Sequence, residues 1–149
     1  MEQPLLQIEI LPGNEDLGLP AYATEGSAGL DLKAALTQSL TIQPGQREAV
    51  PTGLKMAIPP GYEGCARPRS GLAMKHGLTL TNSPGTIDSD YRGEVKVLLI
   101  NHGQSPVVLN RGDRIAQLLI SPVAHAKIVQ VEKVDDTARG EGGFGHTGV

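Results

Sequence analysis

Between residues 82 and 94 the chain reads N-S-P-G-T-I-D-S-D-Y-R-G-E, which sets an amide, three carboxylates and a phenol among turn signals. Asn82 offers both a donor and an acceptor, as a uracil-like edge requires. Asp88 is an acid that can orient and deprotonate water. Tyr91 is a ring in a polar turn, with no apolar run to join. Each also has an ordinary account: a turn-forming asparagine, a solvated carboxylate, a surface tyrosine.

Three further groups fall into the same chemistry. Arg69-Ser70-Gly71 opens a short helix, where orphan N–H groups favour phosphate; an N-cap serine beside a surface arginine reads the same way. Asp31 lies opposite the apolar face of its strand, either solvated or available to a hard cation that prefers oxygen ligands. From Arg139 the tail reads R-G-E-G-G-F-G-H-T-G-V, with five glycines in eleven residues. That is the composition of a disordered tail. Yet a flexible linker has little use for Phe144, whose ring could stack on a flat ligand while Arg139 contacts phosphate. Each signal is weak alone, but their coexistence favours a nucleoside polyphosphate pocket.

The elements that must position these groups are mostly short strands. Ser83-Pro84-Gly85 reads as a turn in which Pro fixes φ and Gly is free to take positive φ. Thr86-Ile87 is a short β-prone run, Ser89-Asp90 a turn, and residues 94–100 return as a strand. The expected object is a protruding β-hairpin with Asp88 on one arm and Tyr91 on the other. Upstream, strands are expected over 5–11, 28–34, 39–42, 53–58 and 63–68, with a loop over 12–27. Alternation puts Leu6, Ile8 and Ile10 on one face, Leu30 and Leu32 inward, and Leu54, Met56 and Ile58 together. A helix is expected over 70–76, with Ser70 as N-cap, Lys75 and His76 in the last turn and Gly77 at C′. Strands follow over 78–81, 106–109, 115–120 and 126–131, the last closing the body. Residues 115–120 are apolar on both faces apart from Gln117, which implies cover on both sides. Asp113 and Arg114 read as a supporting turn or ion pair, and Cys65 as a residue packed in a strand.

Many short strands, one short helix and no βαβ rhythm define an all-β chain. Its expected form is a jelly-roll-like antiparallel barrel or sandwich with a Gly-rich C-terminal arm. At 149 residues it is one domain, able to bury about 70% of its unfolded surface. Gly 19 and Pro 11 make it turn-dense, and with only Tyr22, Tyr62, Tyr91 and Phe144 as aromatics the core must be aliphatic. The net charge of −3 lacks the basic footprint of a duplex binder, so no direct nucleic-acid binding is expected. Cys65 cannot form an internal disulfide, and the four histidines are scattered rather than zinc-spaced. No signal-peptide pattern or run of membrane-spanning length is present, so a soluble, cytoplasmic protein without a membrane partner is expected.

Five stretches carry a resemblance. They are Ala28-Gly29-Leu30-Asp31-Leu32; Pro68-Arg69-Ser70-Gly71-Leu72-Ala73; residues 82–93; Gly112-Asp113-Arg114-Ile115-Ala116-Gln117-Leu118; and residues 139–148. In this order and spacing, from about residue 20 to the C-terminus, the sequence resembles the homotrimeric dUTPases (deoxyuridine 5'-triphosphate nucleotidohydrolases). Any one stretch is a modest signal; five in order are specific.

The resemblance implies a jelly-roll body over 1–136 and an arm over 137–149 that closes over an active site of the trimer. One subunit would give the 82–96 hairpin and Asp31, a second Arg69, Ser70, Gly71 and Gln117, and a third the tail. Uracil would pair with Asn82 and with backbone near Thr86, Ile87 and Lys96, and Tyr91 would pack beneath deoxyribose and exclude a 2′-hydroxyl. Asp88 would be general base for water attacking the α-phosphorus, giving dUMP and pyrophosphate. Mg²⁺ would be reached by Asp31 through water. Arg139 would act on the phosphates, Thr147 would touch the γ-phosphate, and Phe144, with Gly145, would cover uracil. The implied role is to limit uracil in DNA and to supply dUMP for thymidylate synthesis. A dCTP deaminase of the same fold and a non-catalytic nucleotide-gated interaction protein are the rivals. The D-S-D-Y and Gly-Phe-Gly stretches favour the hydrolase.

Overall fold

The computed structural model describes residues 3–148. Ten strands and one helix appear: β1 (Gln7–Ile10), β2 (Leu30–Lys33), β3 (Leu40–Ile42), β4 (Arg47–Ala57), β5 (Tyr62–Arg67), α1 (Ser70–His76), β6 (Leu78–Leu80), β7 (Gly85–Ile87), β8 (Glu94–Asn101), β9 (Val107–Leu109) and β10 (Arg114–Pro122). One sheet runs β1-β4-β8-β6, a second β2-β10-β5-β7, and a two-stranded ribbon pairs β3 with β9. Every pairing is antiparallel. The architecture is the expected all-β, jelly-roll-like one with a single short helix.

Period-two alternation builds the core. In β8, Val95, Val97 and Leu99 are buried while Lys96 and Leu98 are exposed. In β4, Leu54 and Met56 turn inward with Ile58, and in β2 Leu30 and Leu32 do the same. One aliphatic cluster joins both sheets, with Leu32, Val50, Leu99 and Leu118 at its centre. Each such side chain contributes roughly 1.5–3 kcal/mol when fully buried. The chief buried polar side chain, Asn101, is fully satisfied. Its amide donates to the carbonyls of Ile42 (2.9 Å) and Ser105 (2.8 Å), and its oxygen accepts from the Gly103 N–H (2.8 Å).

Several expectations need correction. Residues 126–131 form no strand; they are exposed, and among the described residues no strand edge pairs with them. Strand β4 begins at Arg47, well before residue 53, since Pro51 and Gly53 sit in an irregular register rather than ending the strand. The loop over 12–27 contains a short helical turn, Glu15–Leu17. In β10, Ile115, Ala116 and Leu118 are buried, but Leu119 and Ile120 are only partly covered. Arg69, not Ser70, is the N-cap of α1, and no side chain caps it. Gly77 does close α1 in the left-handed conformation, as expected.

Arg111 pins the 13–17 loop to the body. Its guanidinium donates to both Asp16 oxygens (2.6 and 3.0 Å) and to the carbonyls of Gly13 (2.9 Å) and Leu36 (3.2 Å). The hydrogen bond from Arg111 holds the Asp16 carboxyl below the usual carboxylate range, and the same bond raises Arg111. Among the described residues, no helix is long and apolar enough to cross a membrane.

Candidate functional site

The stretch expected as a β-hairpin is not one. Strand β7 pairs with β5, through Gly64↔Ile87, Cys65↔Thr86 and Ala66↔Gly85. Strand β8 pairs with β4 and β6 in the other sheet. The two arms therefore diverge into different sheets, and the space between them opens as a cleft. Gly85 opens β7 instead of taking positive φ in a turn. The tight turn comes later, where the Tyr91 N–H donates to the Asp88 carbonyl at 3.1 Å.

This cleft, about 240 Å³, is lined by Asn82, Thr86, Ile87, Asp88, Tyr91 and Lys96, together with Glu94, Val95 and Leu98. Two free backbone edges bound it. β7 is the last strand of its sheet, so one side of its backbone has no ladder partner there. On β8, the pairing with β6 runs only from Asn101 to Leu99, with Thr81 N–H reaching the Leu98 carbonyl at 2.8 Å. Residues 94–97 are thus unpaired on that side. Unpaired strand edges are ready hydrogen-bonding templates. The Asn82 amide lies over Gly85, where a β-carbon would sit 3.1 Å from Asn82 Nδ2. Tyr91 stays out of the core, and its hydroxyl donates to the Glu94 carbonyl at 3.0 Å. Asp88 is exposed.

A second cleft, about 270 Å³, gathers Asp31, Arg69, Ser70, Gly71, Arg114 and Gln117. Sheet register does this: Gln117 of β10 faces Asp31 of β2 on one side and Arg67 of β5 on the other. The Gln117 amide donates to the Pro68 carbonyl at 3.0 Å. Gly29 leaves room for that side chain, since a β-carbon there would lie 2.8 Å from Gln117 Oε1. Asp31 meets Arg69 Nε at 3.4 Å and Arg114 Nη1 at 3.2 Å. The resemblance places Asp31 and the 82–96 turn on one subunit and Arg69 on another. Within a single chain Asp31 and Arg69 are paired, because β2, which carries Asp31, and β5, which ends two residues before Arg69, flank the same β10. Asp113 supports the neighbouring turn, its Oδ2 accepting from the Asn110 N–H at 2.7 Å, and Cys65 is buried in β5.

The two clefts share no lining residue. Arg139, Phe144, Gly145 and Thr147 join neither. Their arm is exposed, the Phe144 ring entirely so, and Arg139 donates to the Gly142 carbonyl at 2.6 Å. Sequence reasoning passed over Glu94, visible only as a strand-end charge, whereas Arg114, read as part of a supporting turn or ion pair, makes its ion pair with Asp31.

Among the described residues, no three His, Cys, Asp or Glu side chains cluster as a cage for a metal. Asp31 has both oxygens turned to guanidinium groups yet keeps part of its surface open. That suits accepting from metal-bound water rather than direct ligation. Mg²⁺ keeps several waters and is held by one or two carboxylates plus substrate phosphates, so this donor set fits it.

This all-β, jelly-roll-like body has counterparts among known proteins. A dUTPase family model matches residues 15–148. The chain is 58% identical over 151 residues to the deoxyuridine 5'-triphosphate nucleotidohydrolase of Methylocella silvestris, covering 99% of this chain and 94% of that one. It is 60% identical over 132 residues to that of Anaeromyxobacter sp., covering 89% and 88%. Among solved structures, the Staphylococcus bacteriophage 80alpha dUTPase with dUpNHpp superposes with TM-score 0.87 at 26% identity, over 97% of this chain and 99% of that one. The dUTPase of phage phi11 of S. aureus, described for its structural Mg(II) ion, gives 0.77 at 24% identity, over 87% and 97%, a likeness of fold. The chain belongs to the dUTPase family and is an enzyme, a dUTP nucleotidohydrolase.

Proposed function

We propose that the enzyme hydrolyses dUTP to dUMP and pyrophosphate by attack of water on the α-phosphorus, within a homotrimer whose active sites are shared. The observation that carries this reading is the slot between β7 and β8, with Asn82 over one end and Asp88 and Tyr91 beside it. Uracil presents an acceptor–donor–acceptor edge. The free backbone near Thr86, Ile87 and Lys96 and the Asn82 amide complement it. Cytosine would set a donor against a donor. Tyr91 packs beneath deoxyribose and leaves no room for a 2′-hydroxyl.

In the reaction, a water oxygen bonds to the α-phosphorus as the bond to the bridging oxygen of the β-phosphate breaks. Asp88 takes the water's proton, a role typically worth about 10²–10⁴-fold. Arg69, the Ser70 hydroxyl and the N–H groups around Gly71 hold the departing phosphates, and Gln117 shapes that wall. Asp31 would hold Mg²⁺ through water, and the ion would supply charge neutralisation at the triphosphate. Arg139 and Thr147 bring donors to the phosphates, and Phe144, beside Gly145, covers the base and excludes water. Residues 1–136 serve as body and 137–149 as closing arm. The physiological role is to limit uracil in DNA and to furnish dUMP for thymidylate synthesis, in the cytoplasm.

Sharing between subunits is supported by two features. The base slot and the Arg69 cleft have no residue in common, although a nucleoside triphosphate needs both. Ile128, Val129, Val131 and Val134 are exposed on the segment that leads to the arm, as apolar side chains awaiting a partner chain. Turnover of dUTP in water labelled with heavy oxygen tests the chemistry: the label should enter dUMP. Label in pyrophosphate overturns α-attack, and ammonia from dCTP instead marks a deaminase. Binding without turnover marks the interaction-protein reading. Mixing Asp88→Asn with Arg69→Ala subunits tests the sharing, since hybrid trimers should regain activity that neither variant has alone.

A further inference from the structure

Strands β4 and β8 stay in register as far as Pro51↔Lys96 and resume only at Lys55↔Glu94. Three residues of β4, Thr52, Gly53 and Leu54, therefore face Val95 alone. A bulge of this kind strands backbone groups that a regular ladder would pair, and Thr52 and Gly53 are buried. The Thr52 hydroxyl donates to the Val95 carbonyl at 2.6 Å. The Gly53 carbonyl accepts from Leu11 N–H at 2.8 Å. The Gly53 N–H, left without a strand partner, donates to Glu94 Oε1 at 3.0 Å.

The same Glu94 offers its backbone carbonyl to the Tyr91 hydroxyl, at 3.0 Å. One residue thus grips the bulge with its side chain and the ring with its backbone. The ring itself lies against Gly93. A β-carbon built there would fall 2.6 Å from Tyr91 Cζ and 2.9 Å from Cε2, closer than non-bonded carbons come. Any side chain at 93 displaces the ring from its seat.

We propose that Glu94 and Gly93 are positioning residues for sugar discrimination: the β4 bulge fixes Glu94, Glu94 fixes the Tyr91 hydroxyl, and the bare α-carbon of Gly93 seats the ring. This rests on the reading above, in which Tyr91 excludes the 2′-hydroxyl. The Glu94 side chain is needed as an acceptor and not as a charge. A glutamine, which keeps a side-chain oxygen there, therefore serves in its place.

The test is the ratio of kcat/KM for dUTP to that for UTP, measured on the full-length enzyme with Mg²⁺, or UTP inhibition where its turnover is too slow to follow. Both substrates see one preparation, so any loss of folded protein cancels. Glu94→Ala and Gly93→Ala should lower the ratio about tenfold, toward that of Tyr91→Ala, while Glu94→Gln keeps the parent value. If Tyr91→Ala lowers the ratio but Glu94→Ala and Gly93→Ala do not, the positioning inference is wrong and the sugar role of Tyr91 stands. If Tyr91→Ala leaves the ratio unchanged, the sugar role itself falls, and the inference with it. A lowered ratio in Glu94→Gln overturns the acceptor argument.

Discussion

The turn over 82–96 and the arm over 137–148 are both glycine-bearing stretches with an aromatic at their centre, yet they stand in opposite physical conditions. The turn is anchored at both ends, by β7 in one sheet and β8 in the other, and its tyrosine is hydrogen-bonded to Glu94. The arm is held only by itself. Its backbone bonds, Gly140 N–H to Thr137, Gly142 to Arg139, His146 to Gly143 and Gly148 to Gly145, each close a local turn. Its one aromatic ring touches solvent on every side. A wall that must discriminate a base and a sugar benefits from being built before the ligand arrives. A cover that must admit and release ligand bears its ordering cost at binding instead.

That contrast can be broken at several points, taken here from the largest expected effect down. Asp88→Asn should lower kcat about 10²–10⁴-fold while dUTP still binds, measured by steady-state kinetics and calorimetry; full activity would remove the base assignment. Leu99→Ala, in the core beneath the slot, should destabilise the body by about 2–5 kcal/mol in denaturant unfolding. Phe144→Ala, at the other extreme of exposure, should leave the unfolding midpoint unchanged. Truncation after Asp136 should keep the folded body and its melting temperature but cost about 10²-fold in kcat/KM; an unimpaired truncation would make the arm idle. Smallest is Asp16→Asn, which loses the Arg111 clamp. Because the Asp16 carboxyl is held below its usual range in the folded state, its contribution is full above about pH 4. It fades as pH falls through the depressed value. The slight stability gap between parent and variant should therefore close in acid and persist at neutral pH.

Alternation made much of the fold legible in advance. The inward faces of β2 and β4 follow from Leu30 and Leu32 and from Leu54, Met56 and Ile58, because a strand's side-chain period is two. The helix over Ser70–His76 and its Gly77 close were equally readable, since both depend on local backbone preference. The strand expected over 126–131 failed for a physical reason: extended apolar residues become a strand only beside a partner edge, and none among the described residues pairs with them. The 82–96 hairpin failed similarly, since its turn residues cannot say which sheet each arm will join.

The amino-acid order by itself determined which residues carry acid, amide, guanidinium and ring, and which strand faces turn inward, because those are properties of side chains and of short-range backbone geometry. Only the tertiary structure decided that β7 and β8 part to leave a slot between two unpaired edges, that Asp31 and Arg69 meet across β10, and that a bulge at Gly53 reaches Tyr91 through Glu94. Those arrangements depend on which distant strands pair and in what register, a choice made by burial of the whole core rather than by any local stretch.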